Sequence, residues 1–306
     1  MLNARTGALQ AIGLRLVGAL LAAVMAAAMR FVTQSIPVGE VLFVRSVIAA
    51  VLIGAFYWFR GEFRAALYTK RPLGHLVRCV SGAISTGAYI AALARLPLVN
   101  VMVIAYSTPV ITVILAASFL RERVRVFRWS ATFVGFVGIL LMLSPYFEGQ
   151  WTIVTVAGIG MSFALLSALT GAVSAIQIRR LTETEKTPSI VFYFYVACAL
   201  AGALTLPFEA AAPNLTEWIL LIVIGVIGVF AQLATTESLR LAGASTAVFF
   251  DYTIILWSFL IGYFVFGELP ELIVYVGGSL IIGSGIFIIY REQALKKRPE
   301  PPSGTR

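Results

Sequence analysis

Apolar residues gather along this chain in long blocks joined by short polar turns. A bilayer crossing needs roughly 20 mainly apolar residues in a helix. Ten such blocks can be laid out, at 11–33, 39–58, 76–94, 97–119, 127–145, 152–177, 188–207, 215–236, 243–266 and 271–290. The joints are too short to hold a soluble domain. The pattern predicts an all-α membrane protein with ten transmembrane helices.

Two stretches echo each other about 145 residues apart. Leu93 to Arg123 and Leu239 to Leu269 each open around an Arg-Leu pair, pass through small residues to a Tyr, and close near a Glu. The ten spans then divide into one five-helix repeat over residues 1–148 and a second over 149–291. Residues 292–306, charged and ending PEPPSGTR, read as a disordered cytoplasmic tail. An odd number of helices per repeat makes the second enter the membrane with opposite orientation. Inverted-topology repeats of this kind place a site near the midplane and permit alternating access.

Composition supports the membrane reading and removes a rival. The chain is 60% hydrophobic and 12% charged, far from a soluble balance. Its formal charge of +9 is not spread evenly. Arg60, Lys70, Arg71, Arg121, Arg123, Arg179, Arg180 and the tail residues Lys296 and Lys297 fall on one side. Glu40, Glu148, Glu209, Glu217, Glu268 and Glu271 fall on the other. That asymmetry is a topology signal, with both termini cytoplasmic in a multi-pass protein of a bacterial cytoplasmic (inner) membrane. Lipid headgroups of the bilayer account for the basic excess, so no nucleic-acid partner is implied. The first block, with Arg5 and Arg15 ahead of it, reads as an uncleaved span because it is long enough to cross and the repeat needs it. Cys79 and Cys198 both fall inside spans and read as small buried residues rather than a disulfide.

The chemistry is sparse and therefore informative. Asp251 is the only aspartate and lies deep in the ninth span, where a charge costs at least about 2.5–3.5 kcal/mol on insertion scales. Two readings stand: a substrate-binding or coupling carboxylate, for protons or sodium, or a permanent ion-pair partner of an intramembrane arginine. Arg45, inside the second span, is the natural candidate; it can also bind an anionic group or hold Glu40. Tyr106 precedes Pro109, whose missing N–H bends a helix and opens a carbonyl beside it. Tyr252 follows Asp251, while Ser85 and Tyr89 are spaced i, i+4, as are Gln232 and Thr236. Phenol faces suit a planar conjugated ligand; taken singly, each of these residues also fits helix packing. Ser167, Thr170, Ser174 and Gln177 share a broad face of the sixth span, read mainly as packing. A single histidine, His75, supports no zinc cluster. Walker, HExxH and GxSxG motifs are absent. No metal or cofactor is expected.

Several motifs together resemble the drug/metabolite transporter superfamily, in its EamA-type ten-helix form. They are Phe43-Val44-Arg45, Arg95-Leu96-Pro97, Pro109, Phe119-Leu120-Arg121-Glu122-Arg123 and Gly267-Glu268. The resemblance covers nearly the whole chain. It implies a basket of ten helices with spans five and ten at the periphery and a cavity near spans three, four, eight and nine. Two departures stand out: Ile254-Ile255 replaces a second proline kink, and Ala28-Met29-Arg30 lacks the Trp that many amino-acid exporters carry. The reading is a secondary transporter, not an enzyme, moving a small-molecule metabolite as a monomer or homodimer. Asp251, Tyr252, Tyr106, Tyr89, Gln232 and Arg45 are its candidate site, and Pro109 its candidate kink or gate. The resemblance favours riboflavin uptake, with S-adenosylmethionine uptake or metabolite export as alternatives. A polytopic enzyme or a channel is the rival class.

Overall fold

Prolines, glycines and one side-chain cap set the ends of the helices. The computed structural model describes residues 2–61, 63, 68–105, 107–108, 111, 126–144, 156–241 and 253–296. Ten helices lie in these segments: α1 Leu2–Val32, α2 Val38–Phe59, α3 Pro72–Leu93, α4 Leu98–Ala105, α5 Val126–Leu143, α6 Val156–Leu181, α7 Thr187–Ala203, α8 Leu215–Leu241, α9 Thr253–Phe266 and α10 Leu272–Lys296. Proline stands in the first turn of α3 and α7, where its missing N–H is no loss. Asn214 caps α8 by accepting the Glu217 amide at 3.0 Å, while the Glu217 carboxylate accepts the Asn214 amide at 2.7 Å. This is a reciprocal capping box. Gly267 takes the left-handed conformation (φ 65°) and ends α9, with the Glu268 amide donating back to the Gly262 carbonyl at 3.0 Å.

Among the described residues five helical segments are long and apolar enough to cross a bilayer: Gly13–Val32, Val38–Phe59, Pro72–Leu93, Val156–Leu181 and Leu215–Ser238. Three shorter apolar helices accompany them, Thr187–Ala203, Ile254–Phe266 and Leu272–Ser284. Large hydrophobic side chains stand exposed around the outside, among them Phe56 and Phe59 on α2, Phe133 and Phe136 on α5, and Val276 and Phe287 on α10. In water such a belt would drive aggregation; in a bilayer it is the lipid-facing surface.

The packing follows the repeat. α3 lies along α6 and α1 along α8; α2 pairs with α7, α4 with α9, and α5 with α10. Exchanging each helix for the one five positions away maps α3–α6 onto α8–α1. It likewise maps α2–α8 onto α7–α3 and returns the other three pairs to themselves. The fold is therefore an all-α bundle of two inverted five-helix repeats. As expected, α5 and α10 stand aside and pack mainly on each other. α10 continues to Lys296, into the stretch read as a tail, because Glu292 through Lys296 are helix formers.

Close backbone approach fixes α7 on α2 at the acidic end of the bundle. A Cβ on Gly202 of α7 would lie 2.6 Å from the Phe43 amide nitrogen and 2.8 Å from the Gly39 carbonyl oxygen of α2. Only glycine lets the two helices meet at this separation. The α2–α7 pair carries buried Arg45 and Ser46 on one helix and Thr187, Ser189 and Tyr195 on the other.

Candidate substrate site

Three of the sequence-predicted residues are described. Arg45 on α2 is buried, and its guanidinium carbon lies 5.8 Å from the Tyr195 ring centroid of α7. Its Nε has no hydrogen-bond partner; the Tyr195 hydroxyl lies beside the guanidinium but is also buried without one in hydrogen-bonding geometry. Gly228 of α8 completes this side, since a Cβ there would stand 3.3 Å from the Tyr195 hydroxyl and 3.7 Å from Arg45 Nη2. Gln232 and Thr236 follow Gly228 at helical four-residue steps, so they share its face. The Thr236 hydroxyl is buried and unpartnered.

Tyr89 of α3 lies within the field of the Arg45 charge, and its hydroxyl donates to Met102 Sδ of α4 at 3.4 Å. Ser85, expected to share its surface, donates instead to the Ser167 carbonyl of α6 at 2.9 Å. Ser85 therefore staples α3 to α6 rather than lining a cavity with Tyr89. The expected hold of Arg45 on Glu40 is not made. Glu40 accepts the Ala211 amide at 2.8 Å at the acidic end of the bundle. Asp251, Tyr252, Tyr106 and Pro109 lie outside the described residues.

One central residue escaped the sequence reading. Arg78 of α3 is 3% exposed. Its guanidinium lies over the Phe194 ring at 4.0 Å, and Nη1 donates to the Ser174 hydroxyl of α6 at 2.7 Å. Its Nε is buried without a partner. Arg78 is close enough in sequence to Lys70 and Arg71 to pass for part of the basic end. The signal that would have found it is Gly82, one turn on. A Cβ there would stand 2.0 Å from Arg78 Nη1, so the glycine leaves the space the guanidinium fills. Ser174 belongs to the polar face of α6 assigned mainly to packing, and it serves this arginine.

The rings of Phe194 and Tyr195 are neighbours, 5.1 Å between centroids. The two arginines thus approach one aromatic pair from α2 and α3, and Cys198, one turn along α7, lies in the field of both. Cys79 and Cys198 are buried free thiols. Among the described residues no carboxylate forms an ion pair with either arginine; the ion pairs are Arg30–Glu268 and Arg71–Glu183. An arginine at a helix centre costs about 2.5–3.5 kcal/mol on insertion scales, and Arg78 and Arg45 have no described carboxylate to offset it.

The two ends of the bundle are closed differently. At the acidic end Arg30 of α1 donates to Glu268 and to the Leu96 carbonyl, and it lies 5.3 Å from the Phe266 ring centroid. The Leu98 amide donates to the same carboxylate at 3.1 Å. One carboxylate thereby ties α1, the α3–α4 turn and the α9 terminus. The left-handed turn at Gly267 directs the chain into it. At the basic end, Glu185 accepts the Thr69 hydroxyl at 2.9 Å and the Lys70 amide at 2.8 Å, and Thr187 donates to Glu237 at 2.6 Å. Between α3 and α6 that end retains a cleft of about 490 Å³, lined by Lys70, Arg71, Gly74, Val77, Gln177 and Arg180 among others. A second cleft, between the N-terminal half of α1 and the C-terminal half of α8, is apolar, about 630 Å³ in volume, and lined by Leu14, Val17, Leu21 and Phe230 among others.

Comparison with known proteins agrees with this architecture. The EamA-like transporter family matches at residues 9–144 and again at 158–291. The pseudopaline exporter CntI of Pseudomonas aeruginosa is 29% identical over 261 residues, covering 85% of this chain and 88% of that protein. The riboflavin transporter of Rhizobium johnstonii is 29% identical, covering 77% and 76%. The S-adenosylmethionine uptake transporter of Rickettsia bellii is 27% identical, covering 85% and 86%. A solved crystal structure shares the fold at a TM-score of 0.66 and 20% identity, over 94% of this chain and 99% of that one. The relatives differ in cargo and direction but not in kind. The chain belongs to the EamA-like transporter family and is a membrane transporter of a small metabolite, not an enzyme.

Proposed function

We propose that this protein carries a small organic metabolite across a bacterial cytoplasmic membrane by alternating access, with both termini cytoplasmic. The observation that carries the reading is the contrast between the ends. The acidic end is tied by Arg30 and Glu268, while the basic end keeps a cleft beside α3 and α6. Exchange of the two repeats' conformations would release one end and close the other. Arg45, Tyr89 and Gln232 line the route at mid-depth, joined by Asp251, Tyr252 and Tyr106, with Pro109 as the kink. Asp251 couples transport to protons or sodium.

Riboflavin uptake is the first cargo to test. Tyr89, Phe194 and Tyr195 offer aromatic faces to a planar ring, and riboflavin transporters stand among the relatives. S-adenosylmethionine uptake is the second reading, supported by relatives matched over 85% of this chain. The experiment is labelled riboflavin uptake in a riboflavin-auxotrophic bacterium expressing this chain, with membrane expression verified. Saturable uptake and counterflow above the empty vector support a flavin carrier. Flux that never saturates points to a channel. No uptake despite good expression removes riboflavin and moves the assay to S-adenosylmethionine and then to export.

A further inference from the structure

We infer that Arg45 and Arg78 form an anion subsite around the Phe194–Tyr195 pair, so that the cargo carries a carboxylate or phosphate group. The inference rests on the carrier reading and names the chemical class of its cargo.

Two buried guanidinium nitrogens flank that pair without partners, Nε of Arg45 and Nε of Arg78, and the Tyr195 hydroxyl lies beside Arg45. More than nine in ten buried polar groups find a partner, so two orphaned guanidinium nitrogens on one pair of rings mark a place where a partner arrives. The missing partner's chemistry follows from the donors. A guanidinium has N–H groups and no acceptor. A group that satisfies these donors is an acceptor, and beside buried positive charge it is an anion. Guanidinium forks match the planar carboxylate and the phosphate alike. Neutral riboflavin offers no such group, so this inference ranks S-adenosylmethionine, which has a carboxylate, above it.

The surroundings support the assignment independently. Gly82 keeps space open for the Arg78 guanidinium, and Ser174 holds one of its nitrogens at 2.7 Å. The fork is therefore positioned while Nε stays free. The basic cleft is its neighbour along both helices: Val77 and Gln177 line the cleft, and Arg78 and Ser174, one and three residues from them in sequence, are buried. Lys70, Arg71 and Arg180 at the mouth would raise the local concentration of an anion before it reaches the interior.

The test uses the full chain purified into lipid nanodiscs and measures binding of matched probe pairs that differ in one anionic group. The pairs are flavin mononucleotide against riboflavin, S-adenosylmethionine against its decarboxylated analogue, and benzoate against benzamide. In at least one pair the anionic member is expected to bind tenfold or more tightly. The flavin pair reads phosphate and the other two read carboxylate. Arg78→Gln should bring the ratio close to one, and Arg78→Lys should retain part of it. Gly82→Ala, which keeps the arginine but takes its space, should reduce the ratio as well. Equal binding within all three pairs by the native chain overturns the inference whatever the variants do. So does a preference unchanged in Arg78→Gln and Gly82→Ala. An anion preference that appears only in Asp251→Asn also overturns it, by showing that the guanidinium groups already serve Asp251. The underlying reading fails separately. Saturable transport with no anion preference leaves a carrier without this subsite. Anion binding with no flux of any probe in proteoliposomes leaves the subsite without a carrier.

Discussion

Replacing Gly202 by alanine should force the C-terminal end of α7 away from the first turns of α2. The new Cβ would meet the Phe43 nitrogen at 2.6 Å, the Gly39 oxygen at 2.8 Å and the Phe43 Cα at 2.8 Å. All three are backbone atoms, so no rotamer change relieves the contact. To restore ordinary van der Waals distance the helices must separate by roughly 0.5–1 Å, a gap that forfeits a quarter to a half of each contact along the crossing. Overpacking of this kind costs about 1–3 kcal/mol. The rigid neighbours place Gly202→Ala at about 2–3 kcal/mol on that scale. Arg45 lies just beyond Phe43 on α2, so the same displacement draws its guanidinium away from Tyr195, and transport should fall even where the variant still folds. The assay is reversible denaturant unfolding in detergent together with uptake in cells. Gly283→Ala is the control, because a Cβ there meets nothing within 4 Å; it should be neutral or stabilising by about 0.5–1 kcal/mol, as for glycine to alanine in any open helix. If the two variants unfold alike, the close crossing does not hold α2 on α7 and the reasoning is wrong.

Glu268→Gln keeps an acceptor for the Leu98 amide but removes the charge facing Arg30. Allowing for the partial exposure of both side chains (18% and 16%), it should cost about 1–3 kcal/mol and speed thiol labelling of a cysteine placed at the buried Val99. Unchanged labelling would mean that the pair does not hold that end shut. Glu185→Ala strips the partners from the Thr69 hydroxyl and the Lys70 amide and should destabilise by about 1.5–3 kcal/mol, measured by thermal unfolding. Arg78→Met should leave the ligand-free protein as stable or more so, by up to about 4 kcal/mol, while abolishing transport. A loss of stability would instead show that the guanidinium is a structural partner. Asp251→Asn should lose accumulation against a gradient while keeping expression and exchange; accumulation that keeps its pH dependence removes the coupling role.

What the sequence made legible, and what it hid, follows from how far each interaction reaches. Helices were legible because the bilayer demands long apolar blocks, and the spans over α2, α3 and α8 lie within a few residues of those read. The inverted relation of the two halves was legible because a duplicated pattern with an odd helix count reverses the orientation of the second half. Arg45 could be singled out because a charge inside an apolar block stands out wherever it points. Its direction was another matter. Glu40 and Arg45 are five positions apart, which on a helix with 3.6 residues per turn turns them about 140° from each other. Glu40 reaches Ala211 and Arg45 reaches Tyr195.

Tyr89 and Ser85 failed as a pair for a related reason. They share a helix side, but Ser85 faces α6 and Tyr89 extends toward α4, and a spacing cannot say which neighbour stands opposite. Arg30 and Glu268 are 238 residues apart. Each reads alone as an ordinary residue at a helix end, and only the fold brings them together. Arg78 hid for the opposite reason, lying so near a basic cluster that its depth in the membrane was lost. Its neighbour Gly82 was the better signal. A glycine one turn from an arginine inside an apolar span marks space left for a side chain folding back along its own helix. In this chain that pairing of a buried cation with an adjacent glycine says more about Arg78 than its distance from the basic cluster does. It shows a charge together with the room the protein has reserved for holding it.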